Sequence, residues 1–345
     1  MQSLAIKYRP KTWADVVEQS ATKTILTQQL ASGEVKNAYL FCGGAGTGKT
    51  TCARIFANEI NNGAGVPTEM DAASNNSVDD VRKLIDKAKT TSIDSEYNIF
   101  ILDEVHALSN SAWQVMLKIL EEPPKKSIFI MCTTDPQKIP KTILSRVQRY
   151  DFQRISQQGI RDRLVDVLGK EFEYPSVESE AVDYIAKLAE GGMRDALTML
   201  DKCLAYNENL TVENVMNALG TSSIEDMIAL TDNIVCGRYE RIVKTINELY
   251  MSGKDLKLFI RQYIDFILDV NKAIMLNSME YTKLPDTNEV REFIDGVKED
   301  DTTYIDRLLD LLDEVIKLSS AIKWDTSPKS VIEATLITVS RRFNK

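Results

Sequence analysis

Apolar residues follow two rhythms along this chain. The stretches 39–42, 98–102 and 127–133, apolar except for Asn98, Ser127 and Thr133 at their ends and rich in isoleucine and aromatics, have the length of buried strands. The stretches between them place apolar residues at helical intervals, and this alternation predicts a parallel α/β sheet within residues 1–153. A helix is expected over residues 111–122, with Val115, Leu117, Ile119 and Leu120 apolar, ending where Pro123 and Pro124 remove backbone donors. Past Phe152 the strand signal fades. Residues 156–219 read as short helices, among them 179–190 and 193–205, separated by Gly191-Gly192.

The remainder is helical on a longer period. Leu256, Phe259, Ile260, Tyr263, Ile267 and Val270 form one stripe within a helix expected over residues 255–270, and further helices are expected over 304–322 and 330–343. Such stripes serve as core or as an oligomer interface. Residues 277–289, with Pro285, Asp286 and Asn288, read as a long loop. The expected division is 1–153, 154–220 and 221–345, since 345 residues exceed what one core sustains.

Composition narrows the setting. Nowhere does the sequence approach the ~18 uninterrupted apolar residues of a membrane span, and residues 1–10 lack an apolar signal core, so a cytoplasmic location is expected. Cys42, Cys52, Cys132, Cys203 and Cys236 are scattered and form no C-x-x-C pair, which reads as buried free thiols. A net charge of −9 argues against a broad basic surface for nucleic acid but leaves contacts from helix N-termini and a few side chains open.

One segment carries explicit chemistry. Gly43-Gly44-Ala45-Gly46-Thr47-Gly48-Lys49-Thr50 fits G-x-x-x-x-G-K-[ST], following the run at 39–42 and preceding a helix expected over residues 51–62. The glycines let backbone N–H groups approach phosphate oxygens, Lys49 brings a point charge to the terminal phosphates, and Thr50 offers a hydroxyl to Mg²⁺. Asp103 and Glu104 end the run at 98–102: the first suits the Mg²⁺ shell, the second can orient and deprotonate an attacking water. Nucleoside triphosphate binding and hydrolysis are therefore expected. His106, the single histidine, has no companion ligands for a metal and reads as a structural residue or one behind the reacting groups.

Further segments add a family resemblance. Residues 6–17 (Ile6-Lys7-Tyr8-Arg9-Pro10 to Val17), Asp71-Ala72-Ala73-Ser74, residues 117–124, Thr133-Thr134-Asp135-Pro136-Gln137-Lys138, Ile143-Leu144-Ser145-Arg146 and Gly192-Met193-Arg194-Asp195-Ala196-Leu197 together resemble the clamp-loader ATPases of the AAA+ superfamily. Within these, the chain is most similar to the gamma/tau subunits of bacterial DNA polymerase III, in order and spacing from about residue 4 to residue 205.

The resemblance implies an ATPase domain, a helical lid and an all-α collar that joins several subunits. It places Tyr8, Arg9, Pro10, Val16 and Val17 around adenine and ribose, and Gly44, Ala45, Gly46, Thr47, Gly48, Lys49, Thr50 and Thr51 around the phosphates. Thr134 becomes a sensor of the γ-phosphate or water, Arg194 a lid arginine touching ATP of its own subunit, and Arg146 a finger reaching the ATP of a neighbouring one. Two guanidiniums suit phosphoryl transfer, which spreads charge over the γ-phosphate oxygens.

The work implied is ATP-driven opening of a sliding clamp and its placement on primer-template DNA, with other loader subunits, the clamp and DNA as partners. DNA contact is expected at the helix starts marked by Ser77 to Arg82 and Ser109 to Ser111, and clamp contact near residues 89–94 with Ile93 as an apolar anchor. A branch-migration ring motor and a non-hydrolysing structural subunit are the alternative readings. Two departures stand out. The family's four-cysteine zinc module before Asp71 is replaced by residues 61–68, so no zinc is expected, and Val147 stands where the finger motif has cysteine. Such a compact chain suits a bacteriophage replisome, and its end at Lys345 resembles the short, loader-only form of the subunit.

Overall fold

The computed structural model describes residues 2–90, 94–171, 176–220, 222–299 and 302–344. By contact density the chain sorts into two units, one of residues 1–170 with 189–198, the other of residues 171–188 with 199–345.

The first unit is built on a five-stranded parallel sheet. Its strands are β1 (Ala38–Gly43), β2 (Thr68–Asp71), β3 (Asn98–Asp103), β4 (Ser127–Thr133) and β5 (Gln148–Phe152), arranged in the order β2-β3-β4-β1-β5. Alternating side chains of the three central strands enter two cores. Tyr39 and Phe41, with Ile99, Ile101, Ile128 and Ile130, pack on Cys52, Phe56 and Ile60 of helix Lys49–Ile60. Leu40, Phe100, Leu102, Phe129 and Met131 pack on the opposite face, against Val81 and Leu84 of helix Val78–Lys89 and Trp113 and Met116 of helix Asn110–Glu121. Each such fully buried large side chain contributes about 1.5–3 kcal/mol.

Several expected bounds move. The helix after the glycine loop starts at Lys49 rather than 51, because left-handed Gly48 (φ 99°) directs the chain straight into it. Only Asp71 of Asp71-Ala72-Ala73-Ser74 is strand: its carboxylate accepts from the Ala73 amide at 2.9 Å and the Ser74 hydroxyl at 3.0 Å, closing a turn. In helix Asn110–Glu121 the buried face is Ala112, Trp113, Met116, Ile119 and Leu120, while Val115 and Leu117 are half-buried at its margin.

The second unit is helical. Helices Ile224–Val235, Tyr239–Met251, Leu256–Leu276, Asn288–Glu299, Thr302–Ala321 and Pro328–Phe343 share one apolar core, and the expected stripe from Leu256 to Val270 lies entirely within it. Two polar pairs sit against that core: Thr231 Oγ1 and Tyr263 OH are 2.9 Å apart, and the Tyr304 hydroxyl donates to Asp232 at 2.6 Å. Among the described residues, no helix is long and apolar enough to cross a membrane.

Candidate active site

The site forms where β1 ends. Gly43 has φ 155°, and a Cβ added there would lie 2.5 Å from the Phe152 carbonyl oxygen, so only glycine lets the loop leave the sheet beside β5. Gly46 (φ 70°) is held from outside: its carbonyl accepts the Met193 amide at 3.0 Å, and an added Cβ would fall 2.9 Å from Gly192 Cα. The start of helix Met193–Tyr206 is thereby stitched to the glycine loop.

Lys49 is buried, and its ammonium donates to the carbonyls of Gly43 at 2.8 Å and Gly44 at 2.7 Å. Burial pushes its pKa below the ordinary lysine value, and the Glu104 and Asp103 carboxylates oppose that shift. A buried cation held by its own loop's carbonyls fits an anionic ligand that takes their place. Thr50 Oγ1 donates to Asp103 Oδ2 at 2.7 Å. These two groups are the hard oxygen donors that Mg²⁺ takes, with the rest of its shell left to phosphate and water. Among the described residues there is no cluster of three or more His, Cys, Asp or Glu suited to a metal by themselves.

Glu104 follows Asp103 in left-handed backbone (φ 48°), a conformation costing a non-glycine residue roughly 1 kcal/mol. Its Oε2 accepts from the Thr134 amide at 3.2 Å and the Thr134 hydroxyl at 2.9 Å, and lies 3.2 Å from His106 Nδ1. The structure thus joins the end of β3 to the residue just past β4.

Tyr8, Arg9, Pro10, Val16, Val17, Ala45, Gly46, Thr47, Gly48, Lys49, Thr50 and Thr51 line one cavity together with Asp103, Glu104 and Arg194. Gly44 offers its carbonyl to Lys49, and Thr134 stands behind Glu104. Sequence reasoning missed Ala5, Asp15, Ile155, Arg163, Met193 and Leu197 on the wall. Arg163 donates to Asp166 at 2.7 Å and to the Tyr8 carbonyl at 3.1 Å, fixing the expected base-binding segment; no motif marks it.

Arg146 lies outside this cavity. Its guanidinium donates to Glu121 Oε1 at 2.8 Å and to the Thr142 carbonyl at 2.7 Å. Ser77 and Ser109 cap neighbouring helices, linked by the Ser109 amide donating to the Asn76 carbonyl at 3.2 Å. The Ser77 hydroxyl is engaged by Asp80 at 2.6 Å and Arg82 pairs with Asp79 at 3.2 Å, which places two carboxylates at that helix start; Ser109 and Ser111 hydroxyls are 3.2 Å apart. Ile93 lies outside the described residues.

Comparison with known proteins adds relatives to this geometry. A family model described as DNA polymerase III clamp loader subunit, ATPase lid domain, matches residues 159–209, and one described as DNA polymerase III, delta subunit, matches residues 66–156. DNA polymerase III subunit tau of Bacillus subtilis (strain 168) is 34% identical over 98% of this chain, which spans 63% of that protein. Subunit tau of Escherichia coli (strain K12) is 35% identical over 73% of this chain, which spans 42% of it. Subunit gamma of Buchnera aphidicola subsp. Baizongia pistaciae is 30% identical, over 81% of this chain and 82% of that one. Among solved structures, the Thermotoga maritima RuvB Holliday junction branch migration motor superposes with TM-score 0.52 at 16% identity, over 76% of this chain and 91% of that one, a likeness of fold alone.

Proposed function

Since the chain belongs to the gamma/tau family of DNA polymerase III clamp-loader subunits, we propose that it hydrolyses ATP within a multi-subunit assembly, opening a ring-shaped sliding clamp and placing it on primer-template DNA. The observation that carries this reading is the split between complementary parts. Lys49, Thr50, Asp103, Glu104 and Thr134 converge on one cavity edge, while Arg146 is presented elsewhere on the same chain.

In this reading Tyr8, Arg9, Pro10, Val16 and Val17 enclose adenine and ribose, and the glycine loop, with Thr47 and Thr51, receives the phosphates. Lys49 leaves its loop carbonyls to face the terminal phosphates. Mg²⁺, when bound, neutralises charge on the phosphate oxygens, and Thr50 and Asp103 are the residues to hold it. Glu104 takes a proton from the attacking water, Thr134 fixes that carboxylate, and Arg194 reaches the phosphates from the start of its helix. Arg146 completes the site of the next subunit, so that hydrolysis depends on assembly and ATP acts as a conformational switch.

The three-part division at residues 153 and 220 belongs to the same proposal, with residues 221–345 as collar, as do DNA contact at Ser77, Arg82 and Ser109, the absence of zinc and a bacterial-interior location. RuvB shares only the fold, so the branch-migration reading gains nothing from it. The test is a loading assay: the chain with its partner subunits, labelled clamp, primed circular DNA and ATP should yield clamp retained on DNA. Retention that is equal without this chain would defeat the proposal.

A further inference from the structure

One carbonyl on the wall of the nucleotide cavity takes a donor from a distant part of the chain. Tyr8 ends the four-residue helix Leu4–Lys7, and two residues on Pro10 has no N–H to continue it. The amide that would close the next helical bond to Tyr8, that of Thr12, donates instead to Asp15 Oδ2 at 3.2 Å. A carbonyl at such a helix end is open to a side-chain donor.

That donor is Arg163, on helix Gln157–Glu171. Its guanidinium spans two acceptors, Nη1 donating to Asp166 at 2.7 Å and Nη2 to the Tyr8 carbonyl at 3.1 Å. The side chain is only 14% exposed, and it lines the same cavity as Tyr8, Arg9, Pro10, Val16 and Val17. The bond to Asp166 sets the plane of the fork, and the second nitrogen is thereby aimed at Tyr8.

We infer that Arg163 is a positioning residue for the nucleoside end of the ligand, tying down the segment from Tyr8 to Pro10 so that the base meets a wall already formed. This rests on the reading of Tyr8, Arg9 and Pro10 as part of the base pocket. A segment ordered before the ligand arrives does not have to be ordered on binding. Arg163 therefore adds to affinity through the base and not through the phosphates, which fall to the glycine loop and Lys49.

Isothermal titration of the full chain with ATP and, separately, with inorganic tripolyphosphate, which has the phosphates and no base, tests this. Arg163→Leu, which keeps an apolar stem without a donor, should weaken ATP binding about 10-fold and tripolyphosphate binding by less than about 2-fold. Arg163→Lys, whose ammonium can still donate to the Tyr8 carbonyl, should recover most of the ATP affinity. If Arg163→Leu does not fold, Arg163→Gln, whose side chain stops short of that carbonyl, carries the same comparison. Wild-type ATP affinity in Arg163→Leu, parallel losses of ATP and tripolyphosphate, or equal losses in Arg163→Leu and Arg163→Lys overturn the inference, the last outcome indicating a packing role. Wild-type protein that binds ATP no more tightly than tripolyphosphate would instead remove the base pocket on which it stands.

Discussion

Thr50 Oγ1 donates to Asp103 Oδ2 at 2.7 Å, joining the first turn of the helix after the glycine loop to the end of a strand that is not β1's neighbour in the sheet. The two groups satisfy each other, and a cation able to outbid that hydrogen bond must be hard and doubly charged. Asp103→Asn keeps an oxygen for Thr50 but removes the charge. ATP binding measured in EDTA should change by less than about 2-fold, while magnesium-dependent hydrolysis should fall by about 10²-fold, roughly 3 kcal/mol. Equal losses with and without magnesium would remove Asp103 from the metal shell.

Lys49 and Glu104 should separate binding from chemistry. Lys49→Ala takes away the buried cation and should abolish tight ATP binding. Glu104→Gln keeps a group of the same shape and should bind ATP normally while losing about 10²–10⁴-fold in turnover. Matching losses of affinity in both variants would contradict the role given to Glu104.

Arg146 and Glu121 form an exposed pair, with side chains 34% and 44% accessible, of the class worth only about 0–1 kcal/mol. Release of the guanidinium to a neighbour's phosphates gives up that pair and the bond to the Thr142 carbonyl. Arg146→Ala should leave ATP affinity of the isolated chain unchanged and cut hydrolysis in the assembly by about 10³-fold, roughly 4 kcal/mol. Mixed assemblies of Lys49→Ala and Arg146→Ala chains should regain hydrolysis at joints that combine an intact Lys49 with an intact Arg146. If such assemblies form and stay as inactive as either variant alone, action in trans is lost.

The thiols make a prediction about the untouched protein. Burial pushes Cys42 and Cys203 up to about 11 and Cys52 up to about 12, and raises fully buried Cys132 as well, whereas Cys236 is exposed. Alkylation of the native chain at neutral pH should modify Cys236 and spare the other four until the protein is unfolded. Elemental analysis should find no stoichiometric zinc; a tightly bound zinc per chain would overturn this reading of the cysteines.

The central strands were legible because β1, β3 and β4 are covered on both faces and so read as near-continuous apolar runs. The edge strands were not. β2 alternates half-buried and exposed residues, and β5 interleaves exposed Arg149 and Asp151 with buried Tyr150 and Phe152, a pattern too short and polar to stand out. The same divide runs through the site. The glycine loop and acidic pair are local in sequence and were readable there. The grip of Thr134 on Glu104, the clasp of Arg163 on Tyr8, and the contact of Gly192 with Gly46 join segments brought together only by folding.

The strand order sets a timetable for synthesis. β1 leaves the ribosome first, yet its partners are β4 and β5, the last two strands made, with Ala38 opposite Phe129 and Tyr39 opposite Gln148. At ~5–20 residues per second the apolar segment around Leu40 and Phe41 waits about 5–20 s for a neighbour. During that interval the nascent chain carries an unpaired apolar strand of the kind prone to aggregate, and Gly192 and Met193, which brace the glycine loop, emerge later still. Chains truncated before residue 152 should therefore be substrates for chaperones that hold exposed strands, and completion of the sheet should release them.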